Sequence, residues 1–160
     1  MKKIILIASM IVVIIAQVFV LGHYFVNRYS IVLGGEKFKF QVTDLDITNA
    51  KQKGYIDFEL NKKISGKGDY GVLRITEEGF AELSTVVVQQ PSFGAYLQYS
   101  ENGYFYFPYS RYYLKNIIDY EENLKLPKNY KAYINVRVKD GKLELMDLVV
   151  DGEKIENYIK

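Results

Sequence analysis

The sequence predicts a mainly β, α+β fold: one N-terminal transmembrane helix, then an antiparallel sandwich or open barrel that carries one amphipathic helix. Three observations support this prediction. An apolar run occupies residues 4–26, alternating apolar and polar residues recur through the rest of the 160-residue chain, and a helical period appears once, after residue 110. We therefore divide the chain into an anchor, residues 1–28, and a β-rich extracytoplasmic domain, residues 29–160.

The apolar run reads IILIASMIVVIIAQVFVLGHYFV, and only Ser9, Gln17 and His23 interrupt it. As a helix it is about 34 Å long, enough to cross a hydrocarbon core of roughly 30 Å. A cleaved signal peptide would have a shorter apolar core and an A-x-A-like site. The run has neither feature. We therefore predict an uncleaved anchor that contacts membrane lipid through residues 4–26, with cleavage as the alternative.

Charge is distributed unevenly along the chain. Lys2 and Lys3 are the only charged residues before residue 27, and beyond them the basic side chains equal the 19 acidic side chains in number. The two lysines favour a cytoplasmic N-terminus, which predicts a single-pass protein of the cell membrane with its C-terminal domain outside the cytoplasm. A domain without net charge lacks the basic surface that nucleic-acid binding requires, so no nucleic-acid partner is predicted.

Cys and His, the residue types that hold transition metals, are scarce. The chain has no Cys and one His, which excludes disulfides, thiolate-ligated metals and His clusters. Asp44 and Asp46 form a D-x-D pair that could direct two carboxylates at one cation. No third ligand lies near them in the sequence, and a solvated loop is the favoured interpretation. We predict no metal site and no cofactor.

Two strands are predicted at the start of the domain, after a break at Gly34 and Gly35. Residues 37–42 alternate as K-F-K-F-Q-V and residues 55–60 as Y-I-D-F-E-L, which is typical of half-buried strands. The polar stretch between them, residues 44–53, is predicted to be a loop.

The later strands are predicted to form hairpins, because their turns contain Glu-Glu-Gly, Asn-Gly or Asp-Gly. The paired runs are residues 70–75 with 80–89, residues 96–99 with 104–107, residues 133–138 with 143–150, and this last run with residues 155–159.

One amphipathic helix is predicted between these hairpins. A stripe at positions i, i+4, i+7 and i+11 is formed by Tyr113, Ile117, Tyr120 and Leu124. Ser110 is suited to cap the start of this helix, and Pro127 is suited to stop it.

The string at residues 68–75, GDYGVLRI, resembles the motif of the GDYxxLxY family of small bacterial membrane-anchored proteins, with Ile75 in place of the final Tyr. A second register, KGYIDFEL at residues 53–60, stands where that family usually has its motif, and there Tyr55 matches. Residues 107–114, FPYSRYYL, are similar to an Arg-aromatic-aromatic segment of such proteins. The resemblance implies a membrane location and no known activity. Its motif residues are Gly68, Asp69, Tyr70 and Leu73, or alternatively Gly54 and Tyr55.

A dense aromatic cluster occupies residues 96–113. Because side chains alternate across a strand, Tyr104 and Tyr106 share one face, and Phe105 and Phe107 share the other. We predict that the phenylalanines point inward and the tyrosines point outward or to an interface. The alternative is that the cluster mainly fills the core.

Four residues form the predicted binding site: Tyr104, Tyr106, Tyr109 and Arg111. Exposed tyrosine rings can stack on sugars or hold a peptide, and an Arg near a helix N-terminus can hold a carboxylate or phosphate. The alternative for Arg111 is a structural ion pair or cation–π contact.

These features favour a non-enzymatic accessory or binding protein that contacts a membrane-protein partner or an envelope component through the aromatic face and an exposed sheet edge. The alternative is a membrane-tethered envelope enzyme, a hydrolase acting on peptide or glycan. Ser30 stands just beyond the apolar run, where a Ser/Lys dyad would need it, but no lysine is singled out as its partner. We therefore predict no catalytic residue. A third interpretation is a structural subunit whose anchor helix makes the contacts.

Overall fold

The computed structural model describes residues 2–60, 66–115 and 125–158. An apolar helix is followed by a β-rich region, which contains a curled half-barrel sheet of six strands and two sheets of three strands. The predicted fold class is confirmed.

The elements are α1 (Lys2–Gly34), β1 (Glu36–Asp46), α2 (Ala50–Lys53), β2 (Tyr55–Leu60), β3 (Gly66–Lys67), β4 (Tyr70–Ile75), β5 (Ala81–Val87), β6 (Tyr96–Gln98), β7 (Ser100–Glu101), β8 (Tyr104–Phe105), β9 (Arg111–Tyr113), β10 (Ala132–Lys139), β11 (Lys142–Val150), β12 (Glu153–Lys154) and a 3-10 helix (Ile155–Tyr158).

The half-barrel has the strand order β12-β11-β10-β1-β2-β9, and every neighbouring pair is antiparallel. Its concave face carries the core. Phe38 lies opposite Val136 and Phe40 opposite Ile134, and all four are buried. Irregularities in register fall between β1 and β2 and between β10 and β11. Such bulges bend a strand and increase its twist, which curls the sheet.

The two smaller sheets close over this core. Their orders are β5-β4-β6 and β3-β8-β7, and they contribute Leu83, Leu97 and Phe105 to the same buried cluster. Gly71 is essential to the fit, because a Cβ at this position would lie 2.6 Å from both the Phe105 ring and the Leu83 side chain. The backbone of β4, which contains residues 70–75 of the family-like string, therefore packs directly against the Phe105 ring.

Two predicted hairpin turns are confirmed, but the strands predicted to flank the first need correction: residues 96–98 form β6 and pair with β4, and the hairpin consists of β7 and β8. Asn102 and Gly103 have φ values of 53° and 75°, and Asp140 and Gly141 have φ values of 50° and 75°. Two consecutive positive φ angles match the type I′ turn, whose twist suits a two-residue hairpin. These turns join β7 to β8 and β10 to β11.

Helix α1 runs directly into the domain. Its segment Ser9–Gly34 is long and apolar enough to cross a membrane, with a mean hydropathy of 2.1, and the predicted boundary at residue 28 falls inside the helix. Arg28 donates to Glu144 at 2.7 Å, and Lys139 Nζ lies 2.7 Å from Ser30 Oγ. These contacts fasten the end of α1 to the β10–β11 hairpin and fix its direction.

Three predictions about the elements need correction. The predicted loop at residues 44–53 contains the end of β1 and the short helix α2. The predicted last strand at residues 155–159 is replaced by β12 and the 3-10 helix Ile155–Tyr158. The predicted amphipathic helix does not begin after Ser110, because Arg111–Tyr113 form β9; its other positions at residues 116–124 lie outside the described residues.

The start of the predicted helix is wrong because cross-strand pairing outweighs the helical period. The Ser110 carbonyl accepts the Phe58 N–H at 2.9 Å, and the Leu114 N–H donates to the Gly54 carbonyl at 3.0 Å. This segment therefore forms backbone hydrogen bonds along the edge of β2 instead of the internal hydrogen bonds of a helix.

Candidate binding surface

The predicted tyrosine face lies on the β7–β8 hairpin. Phe105 is 1% exposed, whereas Tyr104 is 59% and Tyr106 is 44% exposed. Phe107 packs edge-on against Phe40, with 5.2 Å between ring centroids. The prediction that phenylalanines point inward and tyrosines outward is confirmed. Two exposed rings thus stand on a hairpin whose other face is held in the core.

Two further tyrosines attach this region to the edge of β11. The Leu143 N–H donates to Tyr99 Oη at 2.9 Å, and Tyr109 Oη donates to the Leu143 carbonyl at 3.3 Å. The rings of Tyr99 and Tyr106 meet edge-on at 6.3 Å. The hydroxyl of Tyr109 is thus engaged by the sheet, and the rings presented to solvent are those of Tyr104 and Tyr106. We call these two rings the tyrosine surface.

The surroundings of Tyr109 place this region beside the helix. Burial raises the pKa of the Tyr109 hydroxyl to about 12; the charges of Glu144, Tyr99 and Tyr24 raise it further, and Arg28 lowers it. Glu144 is also the residue that accepts the hydrogen bond from Arg28. Tyr109 therefore lies close to the end of the apolar run.

Replacing Tyr109 with Phe is expected to reduce the loss of stability above pH 10. The pKa of this hydroxyl in the folded protein, about 12, exceeds its ordinary value of 10.0, so the unfolded chain releases the proton first. The contribution of Tyr109 is constant below pH 10 and falls as the pH rises toward 12. The slope is less than about 1.4 kcal/mol per pH unit, because solvent screens a half-exposed group.

Denaturant unfolding of the full chain in detergent between about pH 9 and pH 11.5 measures this slope. The control is Tyr104→Phe, at an exposed position on the same surface, and it should keep the wild-type slope. Equal slopes for Tyr109→Phe and wild type would contradict the prediction.

Arg111 occupies a structural arrangement on the β2–β9 pair. Its Nε donates to Asp57 Oδ1 at 2.9 Å, and its guanidinium lies 4.7 Å from the centroid of the Tyr55 ring. Tyr55 also meets Tyr113 edge-on at 5.8 Å. The structure thus brings Arg111 together with Tyr55, a residue of the second motif register, and matches the ion-pair and cation–π alternative.

The family-like string supplies backbone geometry and core packing. Gly68 has φ +147°, and a Cβ there would lie 2.6 Å from the Val87 carbonyl oxygen. The Asp69 N–H donates to the same carbonyl at 3.1 Å. Tyr70 packs edge-on against Tyr96, and Leu73 is buried. In the second register, Gly54 ends α2 with φ 78°.

The predicted D-x-D pair contributes to a local turn. Asp46 accepts the Thr48 N–H at 2.9 Å, and its other oxygen lies 3.7 Å from Lys53 Nζ. Hydrogen bonds from Thr48 lower the pKa of Asp46. Within the described parts of the chain, no group of three His, Cys, Asp or Glu side chains is arranged to hold a metal ion.

One hydrogen bond between a buried tyrosine and a partly buried carboxylate was not predicted from the sequence. Tyr112 Oη donates to Glu156 Oε1 at 2.5 Å, linking β9 to the 3-10 helix at the other end of the half-barrel sheet. Burial raises the pKa of Tyr112, and the hydrogen bond to Glu156 raises it further. No local pattern connects these residues, because they are 44 positions apart.

Comparisons with known protein families, with curated proteins and with solved structures find no match to this chain. The resemblance to the GDYxxLxY family stays a prediction.

Proposed function

We propose that this protein is a non-enzymatic, membrane-anchored binding protein whose tyrosine surface contacts a membrane protein or a component of the cell envelope. The observation that carries the proposal is the exposure of Tyr104 and Tyr106 on a hairpin whose opposite face is buried. Because the opposite face of the hairpin is buried, its backbone is fixed, and the two rings lose little conformational freedom on binding. A small entropy loss favours affinity.

The position of this surface supports a partner at the membrane. Tyr106 meets Tyr99, which bonds the β11 edge at Leu143, and the next residue, Glu144, accepts the hydrogen bond from Arg28 of α1. This chain of contacts holds the tyrosine surface at a fixed place relative to the helix. In the proposal, Lys2 and Lys3 keep the N-terminus in the cytoplasm, α1 crosses the cell membrane, and the domain lies outside.

Topology is tested by adding protease to intact cells that make the full chain. The proposed orientation predicts digestion of the domain without lysis. A domain that becomes sensitive only after lysis would contradict the extracytoplasmic placement.

Partner binding is tested by crosslinking in intact cells and purification of the full chain in detergent. The double variant Tyr104→Ser/Tyr106→Ser is expected to recover at least about tenfold less of a defined crosslinked partner, since a buried aromatic anchor contributes about 2 kcal/mol or more at an interface. The matched control is Ile75→Ser/Val88→Ser, because these side chains are 54% and 64% exposed elsewhere on the domain. Undiminished recovery with the tyrosine variant, or equal losses with both, would refute the proposal.

A second candidate function, hydrolysis of peptide or glycan, is favoured by one contact. Lys139 Nζ lies 2.7 Å from Ser30 Oγ, and a cavity of about 400 Å³ beside Lys139 is lined also by Gly34 and Glu36. A neutral lysine amine could take the proton of the serine hydroxyl and activate it as a nucleophile. In the binding proposal, the contact between Lys139 and Ser30 has a structural role only: it holds α1 against β10.

Intact-mass analysis of the full chain after exposure to a serine-directed electrophile separates the two functions. A reactive dyad predicts an adduct on Ser30 that is lost in Lys139→Met. The binding proposal predicts no adduct on either protein.

A further inference from the structure

A groove separate from the tyrosine surface lies where α1 meets β11. It encloses about 310 Å³ between an apolar stripe of the helix and the side chains of Leu145 and Met146. The stripe consists of Phe25, Tyr29 and Val32, which at positions i, i+4 and i+7 share one helix face. We call this feature the helix–strand groove.

If residues 4–26 cross the bilayer, as proposed above, the groove lies at the level of the lipid headgroups. Phe25 is the next-to-last residue of the apolar run, and Val32 is about 10 Å farther along the helix axis. A headgroup layer adds about 5–7 Å on each side of the hydrocarbon core. A helix that crosses the bilayer with residues 4–26 therefore places one end of the groove at the hydrocarbon boundary and the other just beyond the headgroups.

Cationic side chains flank the apolar lining. Arg28 uses Nε to bond Glu144, and 52% of its side chain remains exposed. Lys115 Nζ donates to the Met146 carbonyl at 2.6 Å, and 57% of its side chain is exposed. A planar guanidinium that is oriented by one carboxylate is suited to hold phosphate oxygens with its remaining N–H groups.

The described residues that line the groove carry more positive than negative charge. Arg28 and Lys115 are cationic, and Glu144 is anionic. Asp147, outside the lining, accepts from Lys154 at 2.9 Å and lies 3.4 Å from Lys115 Nζ. This excess favours a ligand that carries one negative charge.

We propose that the helix–strand groove binds one glycerophospholipid from the surrounding membrane. Its phosphodiester lies beside Arg28 and Lys115, and an acyl chain follows Phe25 toward the hydrocarbon core. The occupant is a lipid because the groove is continuous with the membrane-spanning face of α1 and opens at the headgroup layer. This inference does not depend on the tyrosine surface.

The test is native mass spectrometry of the full chain, purified in detergent and exposed to a phosphatidylglycerol of defined chain length. Arg28→Gln is expected to bind this lipid about tenfold more weakly, the loss expected for one charge-assisted hydrogen bond. The matched control is Arg74→Gln, because Arg74 also bonds a glutamate through Nε and is 64% exposed. It should bind like wild type.

A second matched pair tests the apolar lining and does not remove an ion pair. Phe25→Ala is expected to weaken lipid binding several-fold, whereas Phe19→Ala, which removes an exposed ring from the same helix outside the groove, should not. This pair keeps the proposal testable if Arg28→Gln fails to fold. Equal lipid binding by wild type, Phe25→Ala and Phe19→Ala would overturn it.

Two further measurements identify the occupant. An excess of glycerol 3-phosphate should not displace the lipid from wild type; displacement would overturn the proposal in favour of a soluble phosphate ligand. A photoreactive side chain at Val32 should label lipid in intact membranes. Crosslinking to another polypeptide instead would overturn the lipid assignment.

Discussion

Replacing Phe105 with Ala is expected to lower the free energy of unfolding by about 3–5 kcal/mol, the range for removal of a buried ring. The side chain is 1% exposed and packs so closely on β4 that a Cβ at Gly71 would reach its ring. The lost contacts would leave a cavity at the point where the small sheets meet the half-barrel. Denaturant unfolding of the full chain in detergent, followed by the near-ultraviolet circular dichroism of its tyrosines, measures the loss.

Tyr104→Ala is the matched control on the same hairpin. Its side chain is 59% exposed, and its replacement should cost less than about 1 kcal/mol, the span of strand propensities. Similar losses at both positions would contradict the assignment of the inner and outer faces. The control also shows whether the tyrosine surface can be altered without unfolding the domain, as the binding experiment requires.

Replacing Tyr112 with Phe is expected to cost about 1.5–3 kcal/mol, because it leaves a partly buried carboxylate without its hydrogen-bond donor. Tyr112 Oη donates to Glu156 Oε1, and Glu156 Oε2 has no hydrogen-bond partner within the described residues. The change deletes one oxygen atom and retains the packing of the ring. Tyr113→Phe is the control, since Tyr113 is 67% exposed and should show no measurable change.

A double-mutant cycle isolates the hydrogen bond from other effects of the lost hydroxyl. In a Glu156→Gln background, Tyr112→Phe should cost clearly less than in wild type, because a neutral amide is cheaper to leave unpaired than a carboxylate. An equal cost in both backgrounds would show that the Tyr112–Glu156 bond is not the cause of the loss.

Local patterns predicted the parts of the candidate site that depend on neighbouring residues. The alternation of Tyr104, Phe105, Tyr106 and Phe107 follows from the two-residue period of a strand. The turn at Asn102-Gly103 follows from the ease with which these residues adopt positive φ. Both features are decided within a few positions of the chain, so the sequence contains the information needed to predict them.

The segment after residue 110 shows where local patterns fail. Its helical period, with Ser110 as the cap, predicted a helix that starts after Ser110, yet Arg111–Tyr113 pair with β2 as a strand. The partner strand begins at Tyr55, far away in the sequence. Without β9, backbone N–H and C=O groups at the edge of β2 would have no strand to pair with. This pairing makes a strand more favourable than a helix for Arg111–Tyr113, whose sequence is compatible with both.

The apolar helix, the alternating strands and the hairpin turns follow from local sequence patterns, because periodicity and turn chemistry act over a few residues. The way in which the helix joins the domain follows instead from contacts between distant residues. Arg28 and Glu144 are 116 positions apart, and Ser30 and Lys139 are 109 positions apart. The helix–strand groove depends on the same junction. Such contacts arise from the path of the folded sheet, which no local propensity specifies.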